Sequence, residues 1–263
     1  GYDFLIQAMG GLMSVTGESE DKPGGGPQKI GVALSDIMTG LYTVIGALSA
    51  LAYRDKTGRG QHVDMALLDV TVASMANQAM NYLIDGGVPT TMGNAHPNIV
   101  PYEAYKSADH YIIIAVGNDE QFRRLCEVAG CVGLADDERF VTNRDRVNNR
   151  SELGIILNEI IVSKPRIFWL EELENVGVPC GPINNLEQVF ADPQIQSRGT
   201  QRQLDHPEGG KLPTVANPIH LSESPIEYER PPPILGQHNG EVFGRLLRLT
   251  QDDIQRLKDD GVV

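Results

Sequence analysis

From Met38 to Tyr53 apolar residues recur at the spacing of one helix face: Leu41, Val44, Ile45, Leu48 and Leu51. Gly58 suits the left-handed residue that closes a helix, and Arg54 and Lys56 stand where the helix dipole favours cations. A helix with such a stripe gains most of its stability from packing, so the chain must fold around a core. With 263 residues, 41% of them hydrophobic, it is long enough to bury one, as one large domain or two modest ones.

The stripe follows "GVALSDIMTG", in which 30–34 reads as a short buried strand and a lone carboxylate, Asp36, stands at the mouth of the helix. Two readings fit. Ser35 or Asp36 is an ordinary N-cap, since free N–H groups and the helix dipole favour a carboxylate there. Alternatively the carboxylate is reactive, because small or apolar residues flank it. Gly40, in an early turn where glycine costs ~1 kcal/mol relative to Ala, leaves room for a close approach to the backbone.

Before that, residues 2–16 read as a short helix broken at Gly10-Gly11, and "GESEDKPGGGPQK" (17–29) as a surface loop without phosphate-loop spacing. After the long helix, "QHVDMAL" alternates like a strand, and 67–84 reads as a second long helix. Asp64 is expected to be a buried, hydrogen-bonded acid and Asp69 a helix-start acid. A break at 85–102 is rich in Gly, Pro and Asn and marks a boundary or functional loop, with His96 inside it. Two strands with a turn at Ser107–Asp109 follow, then a helix capped by Asn118-Asp119, helices over 149–161 and 164–177, and a short one opened by Asp192-Pro193. Residues 204–233 are Pro-rich and extended, and 238–259 read as a helix. Helices with scattered strands make the class α/β or mixed.

Lys+Arg 22 minus Asp+Glu 35 gives a net charge of −13, a poor match to nucleic-acid binding, which needs a basic stripe. No uninterrupted apolar run reaches the ~18 residues of a membrane span, so no membrane association is expected. Nothing at the N-terminus resembles a signal peptide, and the missing initiator Met is expected of a fragment or processed product. Cys126, Cys131 and Cys180, odd in number and sparse, fit a reducing cytoplasm and small buried thiols rather than a metal site. No GxSxG or HExxH is present, and His62, His110, His206 and His220 lack partners at ligand spacing.

"GVALSDIMTGLYTVIGALSALAYRDKTGRGQHVDMALLD", "GNAHPNIVPYEAYKSADHYIIIAVGND", "RFVTNRDRVNNRSEL", "VPCGPINNLEQVFADPQI" and "PPPILGQHNGEVF" together resemble the family III CoA-transferases over essentially the whole chain. The last two resemble most the branch acting on succinate- and glutarate-type dicarboxylates. The resemblance implies an α/β fold of two domains and an interlocked homodimer. Residues 1–90 would belong to a large Rossmann-like domain and 91–204 form a small α/β domain. Residues 205–263 would return to the large one. It implies transfer of coenzyme A, a substrate and product rather than a bound cofactor, between an acyl-CoA and a small carboxylic acid. Asp36 would be the nucleophile, passing through an aspartyl anhydride and an aspartyl-CoA thioester. Gly93, Asn94 and His96 would lie in a mobile loop over the site, and Tyr2 and Asp3 in its wall. The related α-methylacyl-CoA racemases carry "GHD" where this chain has "GYD"; Tyr2 is a poor acid–base partner at neutral pH, which favours the transferase. Family members begin with a segment supplying much of the CoA-binding surface, and this sequence starts after it. A non-catalytic remnant and weak CoA binding by the chain alone are therefore also expectations.

Overall fold

In the computed structural model, which describes residues 1–228 and 230–263, the apolar stripe after Asp36 lies on a helix of 24 residues, α2 (Leu34–Thr57). Gly58 closes it at φ 71°, its N–H donating to Arg54 O at 2.7 Å. The chain divides into two units, Gly1–Ile183 and Asn184–Val263.

In the first unit, α1 (Asp3–Met9) and α3 (Leu67–Ala73) pack against the start of α2. A Cβ on Gly10 would meet Thr71 Cγ2 at 2.6 Å, so the predicted glycine break also lets the end of α1 lie close against α3. The single helix expected over 67–84 is two, α3 and α4 (Ala76–Asp85). The Ser74 hydroxyl donates back to Val70 O at 2.7 Å, a bond that competes with the helix ladder, and Ala76 turns to φ 44°.

Neither 30–34 nor 61–67 forms a strand. A strand needs a neighbour for its backbone groups. Around 30–34 they go elsewhere: Gln7 Oε1 accepts the Ile30 N–H at 3.0 Å and Gln7 Nε2 donates to Val32 O at 3.3 Å. Residues 61–66 run irregularly beside α2, where Gly46 leaves room for Val63; a Cβ there would meet Val63 Cγ1 at 3.0 Å. Asp64 is exposed, contrary to expectation, because the segment that carries it is not inside a sheet; Asp69 does lie in the first turn of α3.

The opposite face of α2 is open: Leu41, Val44, Ile45 and Leu48 are 56–61% exposed. Serines, threonines and glycines interrupt its apolar run. Its mean hydropathy over 18 residues is nevertheless 1.4, enough by length and composition alone to cross a membrane.

The core of the unit lies farther along. Strands β1 (Tyr102–Lys106), β2 (Tyr111–Ala115) and β3 (Cys180–Pro182) form an antiparallel sheet in that order, with Tyr105 opposite Ile112 and Ile114 opposite Cys180. Ile112 and Ile114 alternate inward against α5 (Asp119–Val128), α7 (Arg150–Ile161) and α8 (Arg166–Asn175). These helices contribute Phe122 and Leu125, then Leu153, Leu157 and Ile161 at a four-residue spacing, then Trp169 and Leu173. Each such burial stabilises by about 1.5–3 kcal/mol. Asn118 caps α5 as predicted, accepting the Gln121 N–H at 2.9 Å. Helix α6 (Asn143–Asn148) and strand β3 have no counterpart in the sequence reading.

The second unit holds α9 (Leu186–Ala191), α10 (Pro193–Ser197) capped by Asp192, a hairpin of β4 (Gln201–Asp205) and β5 (Lys211–Val215), then α11 (Asn239–Leu247) and α12 (Gln251–Asp259). The stretch 204–233 is thus part hairpin, and its residue 229 lies outside the described residues. The tail helix is divided at Arg248, φ 57°, where Thr250 starts a new capped helix.

Candidate active site

The candidate residues fall into two groups. The first surrounds the start of α2. Ala33, not Ser35 or Asp36, occupies the cap position, and its side chain caps nothing. The capping carboxylate comes from α1: Asp3 Oδ1 accepts the Ser35 N–H at 2.9 Å, while Asp3 Oδ2 accepts from Gln7 Nε2 at 2.7 Å. Below lie three buried polar residues, Gln7, Ser35 and Thr71, with the Thr71 hydroxyl 2.9 Å from Ser35 Oγ. Burying such groups is tolerable only when they are paired, and here each is. This scaffold fixes the first turn of α2 and leaves Asp36 outside it, exposed, with no part in the cap. The ordinary-cap reading of Asp36 therefore fails. Its carboxylate is exposed, although small or apolar residues flank it in sequence. Tyr2, 85% exposed, precedes α1 and makes no side-chain cap.

The second group is the loop before β1. Gly93 sits at φ 62°, its N–H donating to Gly17 O at 2.8 Å, and a Cβ there would meet Glu18 Oε1 at 2.7 Å. Asn94 is exposed. His96 is half-buried, its N–H donating to Tyr102 O at 3.0 Å and its ring 5.2 Å from the Tyr102 ring. His96 Nδ1 accepts the Asn98 N–H at 3.1 Å, so a neutral ring carries its proton on Nε2. Burial, and then the Arg150 charge, hold the imidazole below its ordinary pKa, which keeps it neutral near pH 7.

His96 lines a cavity of about 790 Å³ with Glu18, Lys22, Met92, Glu103 and Arg150. Burial pushes Glu103 above the usual carboxylate range, against the opposing pull of the Tyr105 hydroxyl and of Arg150. Tyr105 Oη donates to Glu103 Oε1 at 3.1 Å. Asn94 borders an adjoining space of about 350 Å³ with Glu18, Lys22 and Glu103. Asp36, Tyr2 and Asp3 line neither cavity.

The fold thus joins Asp3 to the helix of Asp36, and Gly93 to His96, without bringing the two groups into one pocket. Gln7, Thr71, Glu103 and Arg150 were not legible as site residues. Gln7, Thr71 and Arg150 act through partners distant in sequence, and Glu103 through its burial.

The family model for CoA-transferase family III matches residues 1–239. The succinate–glutarate CoA-transferase of Agrobacterium fabrum is 48% identical over 246 residues, 94% of this chain and 60% of that protein. Human succinyl-CoA:glutarate CoA-transferase is 38% identical over 263 residues, all of this chain and 59% of that protein. The crystal structure of a CAIB/BAIF family protein from Brucella suis superposes with a TM-score of 0.74 at 48% identity, over 94% of this chain and 63% of that one. This chain therefore spans about 60% of the length of the curated relatives it matches.

Proposed function

Because the chain belongs to CoA-transferase family III, we propose that it carries the nucleophile of an enzyme that moves coenzyme A between an acyl-CoA and a small carboxylic acid. Relatives named for succinate and glutarate support a dicarboxylate pair. One observation carries the reading. Asp36 sits in the first turn of a long helix whose cap is already supplied by Asp3, so its carboxylate is exposed and uncommitted. The helix N-terminus favours negative charge at that position.

In this reading the Asp36 carboxylate attacks the acyl carbon of the donor thioester. The C–S bond breaks, CoA leaves as thiolate, and a mixed anhydride remains. The thiolate then attacks the aspartyl carbonyl, releasing the donor acid and leaving an aspartyl-CoA thioester. The acceptor carboxylate displaces the thiolate to form a second anhydride, and the thiolate takes the new acyl group, regenerating Asp36. Two covalent stages replace one difficult exchange. Each tetrahedral stage develops an oxyanion that needs donors. Gly93, Asn94 and His96, which share no pocket with Asp36 in the single chain, are proposed to supply the substrate side in the assembled homodimer, with His96 Nε2–H a neutral donor. Tyr2 is proposed as wall, and Asp3 as the residue that sets the helix carrying Asp36.

The open apolar face of α2 supports a homodimer, since four large side chains in one stripe are exposed in the single chain. Residues 1–90 and 205–263 are proposed to form the large domain with it, and 91–204 the small one. Three free cysteines are consistent with the cytoplasm.

The test is trapping. The protein is incubated with succinyl-CoA, treated with hydroxylamine and digested. A hydroxamate on the peptide containing Asp36, absent without the thioester, is expected. An unlabelled Asp36 alongside measurable transfer between succinate and glutarate would refute it as nucleophile. Absence of transfer in the chain together with a relative-length version would refute the function itself.

A further inference from the structure

Three side chains on successive turns reach the same stretch of main chain. Asn143 Nδ2 donates to Asn98 O at 2.9 Å, and its Oδ1 accepts the Val100 N–H at 3.1 Å. Arg146 Nε donates to Val100 O at 2.7 Å. Arg150 spreads its fork over two consecutive carbonyls, Nη1 to His96 O at 3.1 Å and Nη2 to Pro97 O at 2.6 Å. The far end of the loop is tied by the Gly93 N–H to Gly17 O at 2.8 Å, and Ala95 closes a turn onto Met92 O at 3.2 Å. Every residue from 95 to 98 except Pro97 thus has its N–H engaged, and 96, 97 and 98 have their carbonyls held from α6 and α7.

The three holders differ in kind. Arg146 is fully buried, with its Nη2 on Asp119 at 2.7 Å and its guanidinium over the Phe122 ring, so it belongs to the core. Arg150 is only half-buried, forms part of the cavity wall beside His96, and spends its fork on loop carbonyls 53 and 54 positions earlier in the chain. A planar guanidinium is suited to this, since it meets two acceptors in one fixed geometry and a lysine ammonium does not.

We propose that Arg150 is a positioning residue for the site: by holding the His96 and Pro97 carbonyls it makes segment 93–98 a fixed platform that presents His96, rather than the mobile flap implied by the family resemblance. The inference rests on the reading of 93–98 as the substrate side, but its structural half stands apart from catalysis.

The experiment compares Arg150→Gln and Arg150→Lys with the parent by hydrogen–deuterium exchange, thermal unfolding and steady-state kinetics. Exchange of the His96 and Asn98 amides is expected to rise at least tenfold in Arg150→Gln and to a smaller extent in Arg150→Lys, while β1 and β2 amides keep their protection. In protein that transfers CoA between succinate and glutarate, kcat falls about tenfold with KM for the CoA thioester within twofold, and Arg150→Lys recovers part of it. Unchanged exchange at His96 and Asn98 overturns the proposal. So does increased exchange across β1 and β2 in both variants, which marks Arg150 as a general packing residue. So does a kcat equal to the parent's. If the parent shows no transfer, the exchange result alone decides whether Arg150 holds the loop.

Discussion

Asp3 Oδ1 accepts the Ser35 N–H at 2.9 Å, so the helix that carries Asp36 is capped by a residue 32 positions earlier in the chain. The same carboxylate accepts from Gln7, and Gln7 in turn occupies the backbone groups of Ile30 and Val32. One short helix therefore sets both the start of α2 and the path of the chain leading into it. Asp36 owes its freedom to that arrangement.

Removing the cap should cost stability directly. Asp3→Ala is expected to lower the unfolding free energy by about 1–2 kcal/mol, from the lost cap and from the buried Gln7 amide left short of a partner. Asp3→Asn keeps an acceptor oxygen and should cost less. Urea unfolding of the three proteins decides it; an Asp3→Ala protein as stable as its parent would show that the cap is not made in solution.

Asp36→Asn should behave in the opposite way. The side chain is exposed and takes no part in the cap, so stability should stay within about 0.5 kcal/mol of the parent. Transfer should drop by at least ~10³-fold, as when other covalent nucleophiles are removed. Kinetics and thermal unfolding on the same preparation give both readouts. A stable Asp36→Asn protein retaining more than a tenth of the activity contradicts the assignment.

Arg146 is expected to be the costliest of the loop-holding residues to lose. Arg146→Met leaves Val100 O and Phe140 O without their donor in the interior and Asp119 without its partner. A loss of about 2–5 kcal/mol follows from two interior carbonyls left without a donor, at about 1–3 kcal/mol each, since Asp119 itself is exposed to solvent. Chemical denaturation measures it, and a loss below about 1 kcal/mol would mean that the network relaxes or rehydrates freely.

Glu103 gives a pH dependence of defined sign. Burial raises its folded pKa above the ordinary 4.5, so the native state binds this proton more tightly than the unfolded chain does. Its stabilising contribution is complete below pH 4.5 and is lost as pH rises through the folded value. Glu103→Gln, which can still accept from Tyr105, should therefore be more stable than its parent at pH 7, with the gap closing toward pH 4. Unfolding at the two pH values checks this, and a gap that is equal at both, or larger at pH 4, contradicts it.

Much of the fold was written locally. The 3.6-residue stripe and Gly58 determine α2, Asn118 opens α5, and the turn at Ser107–Asp109 between two strand-like runs is the β1–β2 hairpin, because each signal acts within a few residues. The family was legible from its motifs, and the family model matches residues 1–239. The strand-like runs at 30–34 and 61–67 were misread for a physical reason: apolar alternation states what a segment could pair with, and pairing depends on a neighbour.

The candidate site divides along the same line. Asp36 and His96 stood out as candidates because their local chemistry is distinctive, a carboxylate at a helix mouth and a histidine in a Gly/Asn/Pro loop, whereas Gly93 followed from the family resemblance alone. That Asp36 is not the cap, that Gln7 and Thr71 hold its scaffold, and that Arg150 grips the carbonyls beside His96 were decided by tertiary structure alone. Those bonds join residues 23 to 54 positions apart. A side chain's partner at that separation follows from how helices and loops pack, and no window of local sequence encodes it.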